Sequence, residues 1–350
     1  MKKSRSTRFL FINFFLISAV IIGVISFLTF GPKTWDALHQ IYFKYIIFSF
    51  LLGFMANCFD TLRIQILTQA FGYYFPFKEG LKAIFAYNFL ANITPSALGG
   101  EPVLIYMLTD TTGMDTQKAT TIAIVRGIFL ILIIAIAGPL ILLFEREYFE
   151  IALMRAFFDY ATLIFIIIIG LGIYSYFNLD KVRSVLERII GFFQKFKLFQ
   201  KHPSPQIRVK HMEIWIEEFI SCFKYLFQKK KASLLYTACF TILSQITNYS
   251  IVYILLKGMN HDINFLKVLV IQIILYFVLY VIPTPGGSGF AEGGFYLLFY
   301  NYVPKHLLGI LVILWRFFIA YLWVIVGWVV ILKTLGMKGL EEIKERMSIT

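Results

Sequence analysis

Seven stretches of this chain are apolar for long enough to cross a lipid bilayer, near residues 9–30, 42–66, 117–144, 160–177, 232–256, 264–283 and 307–332. A crossing helix needs about 20 such residues, because the hydrocarbon core is about 30 Å thick and each helical residue rises about 1.5 Å. Charged residues make up 15% of the 350, against about 25% in a soluble domain. The pattern predicts an all-α polytopic membrane protein with about seven or eight transmembrane helices. The first run follows Lys2, Lys3, Arg5 and Arg8, as a secretory leader would. Its length, and the lack of a small-x-small cleavage site, predict a retained helix instead.

Basic residues set the expected orientation. Segment 178–231 holds twelve Lys and Arg against five acids. The positive-inside rule puts it and the N-terminus on the cytoplasmic side of the cytoplasmic membrane, with 31–41, 145–159 and 257–263 outside. Much of the formal net charge of +13 sits in that one segment, where anionic headgroups attract it, so no nucleic-acid partner is implied. Val182, Val185, Leu186, Ile189, Phe193 and Phe196 share one helical face. Met212, Trp215, Ile216, Phe219, Phe223 and Leu226 share another, beyond a break at His202–Pro205. Both faces predict helices lying in the membrane interface. They serve either as a plain connector or as a regulatory or substrate-loading device. The chain thus divides into a first half (1–177), this connector (178–231) and a second half (232–350).

Each half contains a glycine- and proline-rich elbow. The first spans 92–102 (NITPSALGGEP) and the second 282–292 (IPTPGGSGFAE). Short apolar pieces flank them, near 80–94, 102–110 and 289–303, and read as broken or re-entrant helices. Arg126 follows Glu101 by 25 residues, and Arg316 follows Glu292 by 24. Charge and irregular backbone at membrane depth are costly unless they line a protein-enclosed polar cavity. Two copies predict two pseudo-repeats with a site between them, a common transporter plan.

The substrate-contact candidates are Glu101, Arg126, Glu292 and Arg316, with Gly99, Gly100, Gly286, Gly287, Gly289, Asn92, Ser96 and Ser288 from the elbows. Glycine permits tight turns and close approach of a headgroup. The helix starts near Gly100 and Gly289 would present unsatisfied N–H groups to a phosphate. Arginine's fork binds two phosphate oxygens at once. The two glutamates would cap their helices, pair with the arginines, or bind a cation. Arg63 pairs with Asp60 one helical turn away or serves as a third headgroup contact. Asn88, Thr94, Gln245, Asn248, Gln272 and Thr284 would wet the cavity.

Catalysis is not expected. Gly286–Gly289 matches the Gly-x-Ser-Gly of intramembrane serine proteases, but no histidine lies well inside a downstream helix to act as its base. No metal-ligand spacing, nucleotide loop or cofactor motif is present, and Cys58, Cys222 and Cys239 show no pairing pattern.

On Pro95–Glu101, Pro283–Gly289 with Glu292, and the arginine after each, the chain resembles the transmembrane flippase region of lysylphosphatidylglycerol synthases (the multiple peptide resistance factor family) over roughly 9–332. The resemblance implies lipid movement between leaflets, with the elbows and arginines on the headgroup path. Candidate lipids are plain or aminoacylated phosphatidylglycerol and polyprenyl-phosphate-type lipids. The fused enzymes carry a soluble aminoacyl-transfer domain with no counterpart in these 350 residues, so that activity is not implied. The competing expectations are an ion-coupled transporter of a small anion or amino acid, and a membrane scaffold. Membrane lipids are the expected partners, and a homo-oligomer stays open.

Overall fold

A computed structural model describes residues 41–94, 99–144, 152–178 and 205–334, together with residues 23, 97, 181 and 184. Among these residues every regular element is helical. The first half supplies α1 (Phe43–Ala70), α2 (Phe77–Ile93), α3 (Gly100–Thr112), α4 (Thr116–Phe144) and α5 (Ala152–Phe177). Helix α6 (Pro205–Lys229) leads into the second half. That half runs through α7 (Lys231–Gly258), α8 (Phe265–Leu279), a short 3-10 turn (Pro285–Gly287) and α9 (Phe290–Phe299). It closes with α10, which starts at Lys305–Arg316, passes through a π turn at Phe317–Tyr321 and continues to Thr334.

The two halves share one plan. Helices α1 and α7 are 28 residues each, and six residues separate each from the next helix. Starts at 43 and 77 recur at 231 and 265, so α7 and α8 repeat α1 and α2 188 residues on. Each half then has an elbow, a short helix and a long arginine-bearing helix. The repeat pairs α2 with α8, at 17 and 15 residues. The helix expected at 264–283 is Phe265–Leu279, about 22 Å long at about 1.5 Å per residue.

Among the described residues, four helical segments are long and apolar enough to span a bilayer: α1, Thr116–Gly138 of α4, α7, and Lys305–Thr334. Their outer faces carry exposed apolar side chains, for instance Phe43, Ile47, Leu51 and Phe54 on α1. In lipid such exposure has no hydrophobic penalty, and the chain is an all-α, multi-pass membrane protein. The expected helix at 9–30, the amphipathic face at 182–196 and Ser96 lie outside the described residues.

The halves interlock. The most extensive helix contact is α1 against α7, where Ser244 Oγ donates to the Ala56 carbonyl at 3.2 Å. Across the molecule α4 packs on α8, with Gly138 under the Phe277 ring. Helix α10 lies against α2 so closely that a Cβ at Gly327 would collide with the Phe85 carbonyl. Trp323 of α10 stacks on both Phe50 and Phe85, at 6.2 and 5.6 Å, and donates its indole N–H to Phe318 O at 2.7 Å. Small residues matter here because lipid offers no hydrophobic drive for helix association, so close van der Waals contact must supply it.

The connector face carrying Trp215, Ile216, Phe223 and Leu226, expected at the membrane interface, is packed against protein. It docks on α4 and the first-half core, burying Ile216 and Leu226. Trp215 Nε1 donates to Thr116 Oγ1 at 3.1 Å, and Gln117 Nε2 to Glu218 at 2.6 Å. The apolar stripe that α6 needs to cover finds protein before it finds lipid.

Candidate functional site

The second elbow turns on three glycines in the left-handed region: Gly286 (φ 56°), Gly287 (φ 66°) and Gly289 (φ 91°). Only glycine adopts such angles without steric cost, so Pro283–Gly289 can reverse the chain within a few residues. Glu292, wholly buried, then does two things. One oxygen accepts from the Gly289 backbone N–H at 2.7 Å and caps α9, and the other accepts from Arg316 Nε at 2.8 Å. Arg316 also donates through Nη2 to the Gly286 carbonyl at 3.1 Å. One carboxylate and one guanidinium therefore tie the elbow to α10, immediately before its π turn.

The first elbow is built differently. Thr94 Oγ1 accepts from the Gly99 N–H at 2.9 Å and donates to Leu90 O at 2.6 Å. Ala97 holds a positive φ of 57°. A side chain at Gly100 would meet the Tyr87 ring at 2.6 Å, so this glycine lets Tyr87 lie where it does, with Arg126 over its face at 4.0 Å. Arg126 Nη1 is 3.6 Å from Asp60 and Nη2 is 3.5 Å from Glu101. These separations are long for charge-assisted bonds, which prefer about 2.7–2.9 Å. Arg63 is buried, pairs with Asp60 and donates to the Arg126 carbonyl at 2.7 Å.

Three arginines (63, 126, 316) are thus matched by three acids (Asp60, Glu101, Glu292), in one cluster in the first half and one separate pair in the second. An unpaired buried charge in this medium would cost several kcal/mol, about 3 by insertion scales. The two halves meet that constraint unequally, with a tight pair in the second and a looser shared arrangement in the first.

Between them lies a cavity of about 310 Å³. Arg126 and Arg316 both line it, as do Asp60, Asn57, Asn88 and Asn92 from the first half, and Gly286, Gly287 and Thr284 from the second elbow. Asn57, Asn88 and Asn92 form a chain: Asn88 Nδ2 donates to Asn57 Oδ1 at 2.7 Å, and Asn92 Nδ2 to the Asn88 carbonyl at 2.8 Å. Gln245 and Asn248 complete the polar lining from α7.

Several expected contacts stand back from this space. Glu101, Glu292, Arg63, Gly99, Gly100, Ser288 and Gly289 are not among the cavity-lining residues. The helix starts near Gly100 and Gly289 therefore do not open onto it, and the Gly289 N–H is already taken by Glu292. Gln272 is wholly buried elsewhere on α8, with neither amide atom partnered among the described residues. Missing from the sequence reading were Asn57, Tyr87, Tyr249, Tyr276, Tyr280, Trp315 and Trp323, all cavity-lining. The 188-residue repeat could have found part of this set. It places Gln245 opposite Asn57, Asn248 opposite Asp60, Tyr276 opposite Asn88 and Tyr280 opposite Asn92.

Residues 14–327 match the family model of the lysylphosphatidylglycerol synthase TM region. The chain is also similar to a UPF0104 membrane protein of Archaeoglobus fulgidus, 28% identical over 305 residues, an alignment covering 86% of this chain and 90% of that protein.

Proposed function

We propose that this chain, which belongs to the family of the lysylphosphatidylglycerol synthase transmembrane region, is a lipid flippase that carries a phosphate-bearing headgroup through the cavity between its halves. Family membership fits a lipid-related membrane role. The observation that carries the finer reading is one cavity lined by an arginine from each repeat, Arg126 and Arg316, each within its long helix.

The two arginines divide the work. Arg316 donates to Glu292 and to the Gly286 carbonyl, so it positions the second elbow. Arg126 is held by acids at 3.5 and 3.6 Å, and its Nε has no partner among the described residues. A phosphate oxygen entering the cavity can take up those donors by displacing Asp60 or Glu101 over a short distance. At about 310 Å³ the space is at the small end of ligand sites, roughly 300–1,000 Å³, and suits a headgroup with its lipid tails left outside.

The test is headgroup-selective flipping in proteoliposomes, using phosphatidylglycerol, aminoacylated phosphatidylglycerol and a polyprenyl phosphate. Wild type should move at least one of them, and Arg126→Ala should stop the movement while the protein still folds. If no lipid moves, and an ion-coupled solute does, the cavity belongs to a solute transporter and the flippase reading is wrong.

A further inference from the structure

The 188-residue repeat makes the cavity walls comparable position by position, and they differ in kind. On α1, Asp60 faces the cavity beside Arg126, with Arg63 behind. On α7, Asn248 stands at the position of Asp60, and apolar, fully buried Ile251 at that of Arg63. At these two positions the α7 wall carries no charge, and Asn248 supplies the polar group. On α8, Tyr276 and Tyr280 replace the asparagines of α2.

The hydrogen-bonding states differ as well. Asn57, Asn88 and Asn92 are engaged with one another or with backbone. Gln245 and Asn248 have no hydrogen-bond partner among the described residues, although both line the cavity. Tyr249 and Trp315 line it too, each almost wholly buried, and among the described residues neither the Tyr249 hydroxyl nor the Trp315 indole N–H has a partner. The Tyr249 ring stacks on Tyr276 at 5.2 Å. Neutral amides and a phenol both donate and accept. That dual capacity matches hydroxyl groups, which also do both, and flat aromatic faces match the C–H faces of a polyol ring.

Resting on the flippase reading above, we propose that the transported headgroup is a phosphate esterified to a neutral polyol or sugar. Its phosphate lies toward Arg126 and its hydroxyls lie against Gln245, Asn248 and Tyr249. A bare phosphate leaves that second wall without partners. An aminoacylated headgroup brings an ammonium group, which a carboxylate would neutralise and aromatic faces would hold more weakly. The carboxylate lining the cavity among the described residues is Asp60, with one oxygen on Arg63 and the other facing Arg126.

The experiment measures binding to the full chain in nanodiscs, with three lipids of identical acyl chains: phosphatidylinositol, phosphatidic acid and lysyl-phosphatidylglycerol. Soluble inositol phosphate is a fourth arm. Phosphatidylinositol should bind at least tenfold tighter than each of the others. In Asn248→Leu the ratio of phosphatidylinositol to phosphatidic acid affinity should fall toward one. Tyr249→Phe removes a single oxygen, should lower the same ratio severalfold, and carries the test if Asn248→Leu does not fold. Equal or tighter binding of phosphatidic acid or lysyl-phosphatidylglycerol overturns the proposal, as does a ratio unmoved in a folded variant. Soluble inositol phosphate binding as tightly as the lipid overturns the lipid source. Lipid movement without polyol preference sinks this inference alone, whereas no lipid binding or movement at all sinks the flippase reading with it.

Discussion

The same substitution at the two glutamates should have very different consequences. Glu292→Gln keeps the shape of the side chain but leaves one acceptor where two are used. Either the Arg316 Nε–H or the Gly289 N–H then faces an amide N–H. It also leaves the Arg316 guanidinium, 3% exposed, without its counter-charge. Breaking a buried pair by removing one partner costs about 3–5 kcal/mol. Glu101→Gln removes a carboxylate that is 36% exposed and 3.5 Å from Arg126, which retains Asp60 at 3.6 Å. A loss of about 1 kcal/mol is expected there, because Asp60 still faces Arg126 and the partner removed is partly solvated, although Arg63 and Arg126 are then left sharing Asp60. The difference, about 3 kcal/mol, is a factor of roughly one hundred in the folding equilibrium. Unfolding of both variants in mixed detergent–SDS micelles, followed by tryptophan fluorescence, measures it directly. Equal losses, or a Glu292→Gln loss below about 1 kcal/mol, would refute the assignment of Arg316–Glu292 as the tight pair.

Three further outcomes follow from the packing. Gly100→Ala should push the Tyr87 ring from beneath Arg126 and weaken lipid binding by roughly three- to tenfold, the scale of one cation–π contact, read by titration of the purified protein. Gly327→Ala should destabilise by about 3 kcal/mol, the upper range for overpacking, because backbone rather than a flexible side chain stands in the way; the unfolding midpoint and the emission of Trp323 should both shift. Ala97→Gly should stabilise by up to about 1 kcal/mol by relieving a left-handed alanine, seen as a raised unfolding midpoint.

Much of this molecule is legible in its sequence, for physical reasons that also mark where legibility ends. Long apolar helices such as α1, α4 and α7 announce themselves because the bilayer sets their length. The Glu–Arg pairings are visible because a lone arginine at membrane depth demands an acid. The Gly289 N–H at the start of α9 is not free, because Glu292, three residues on, reaches back and accepts from it. Gln272 reads as a cavity-wetting residue from composition, but its face of α8 turns into the core. Tyr87 could not be found from spacing at all. It enters the site because Gly100, on another helix, leaves room for its ring. The α6 stripe is correctly amphipathic, yet amphipathicity states only that a face will be covered, and here Thr116 and the first-half core cover it.

The contact between α1 and α7 also bears on how the chain is made. The face of α1 carrying Asn57 and Asp60 borders the cavity next to a helix that begins 188 residues later. At roughly 5–20 residues per second, α7 follows α1 out of the ribosome after about 10–40 s. Throughout that interval the polar side of α1 has no second half to shelter it. Arg63 and Asp60 neutralise each other within one helical turn, so α1 carries its own counter-ion while it waits. A chain with Arg63 replaced should be lost during biogenesis, before any question of transport arises, and pulse-chase turnover of the newly made protein would reveal it.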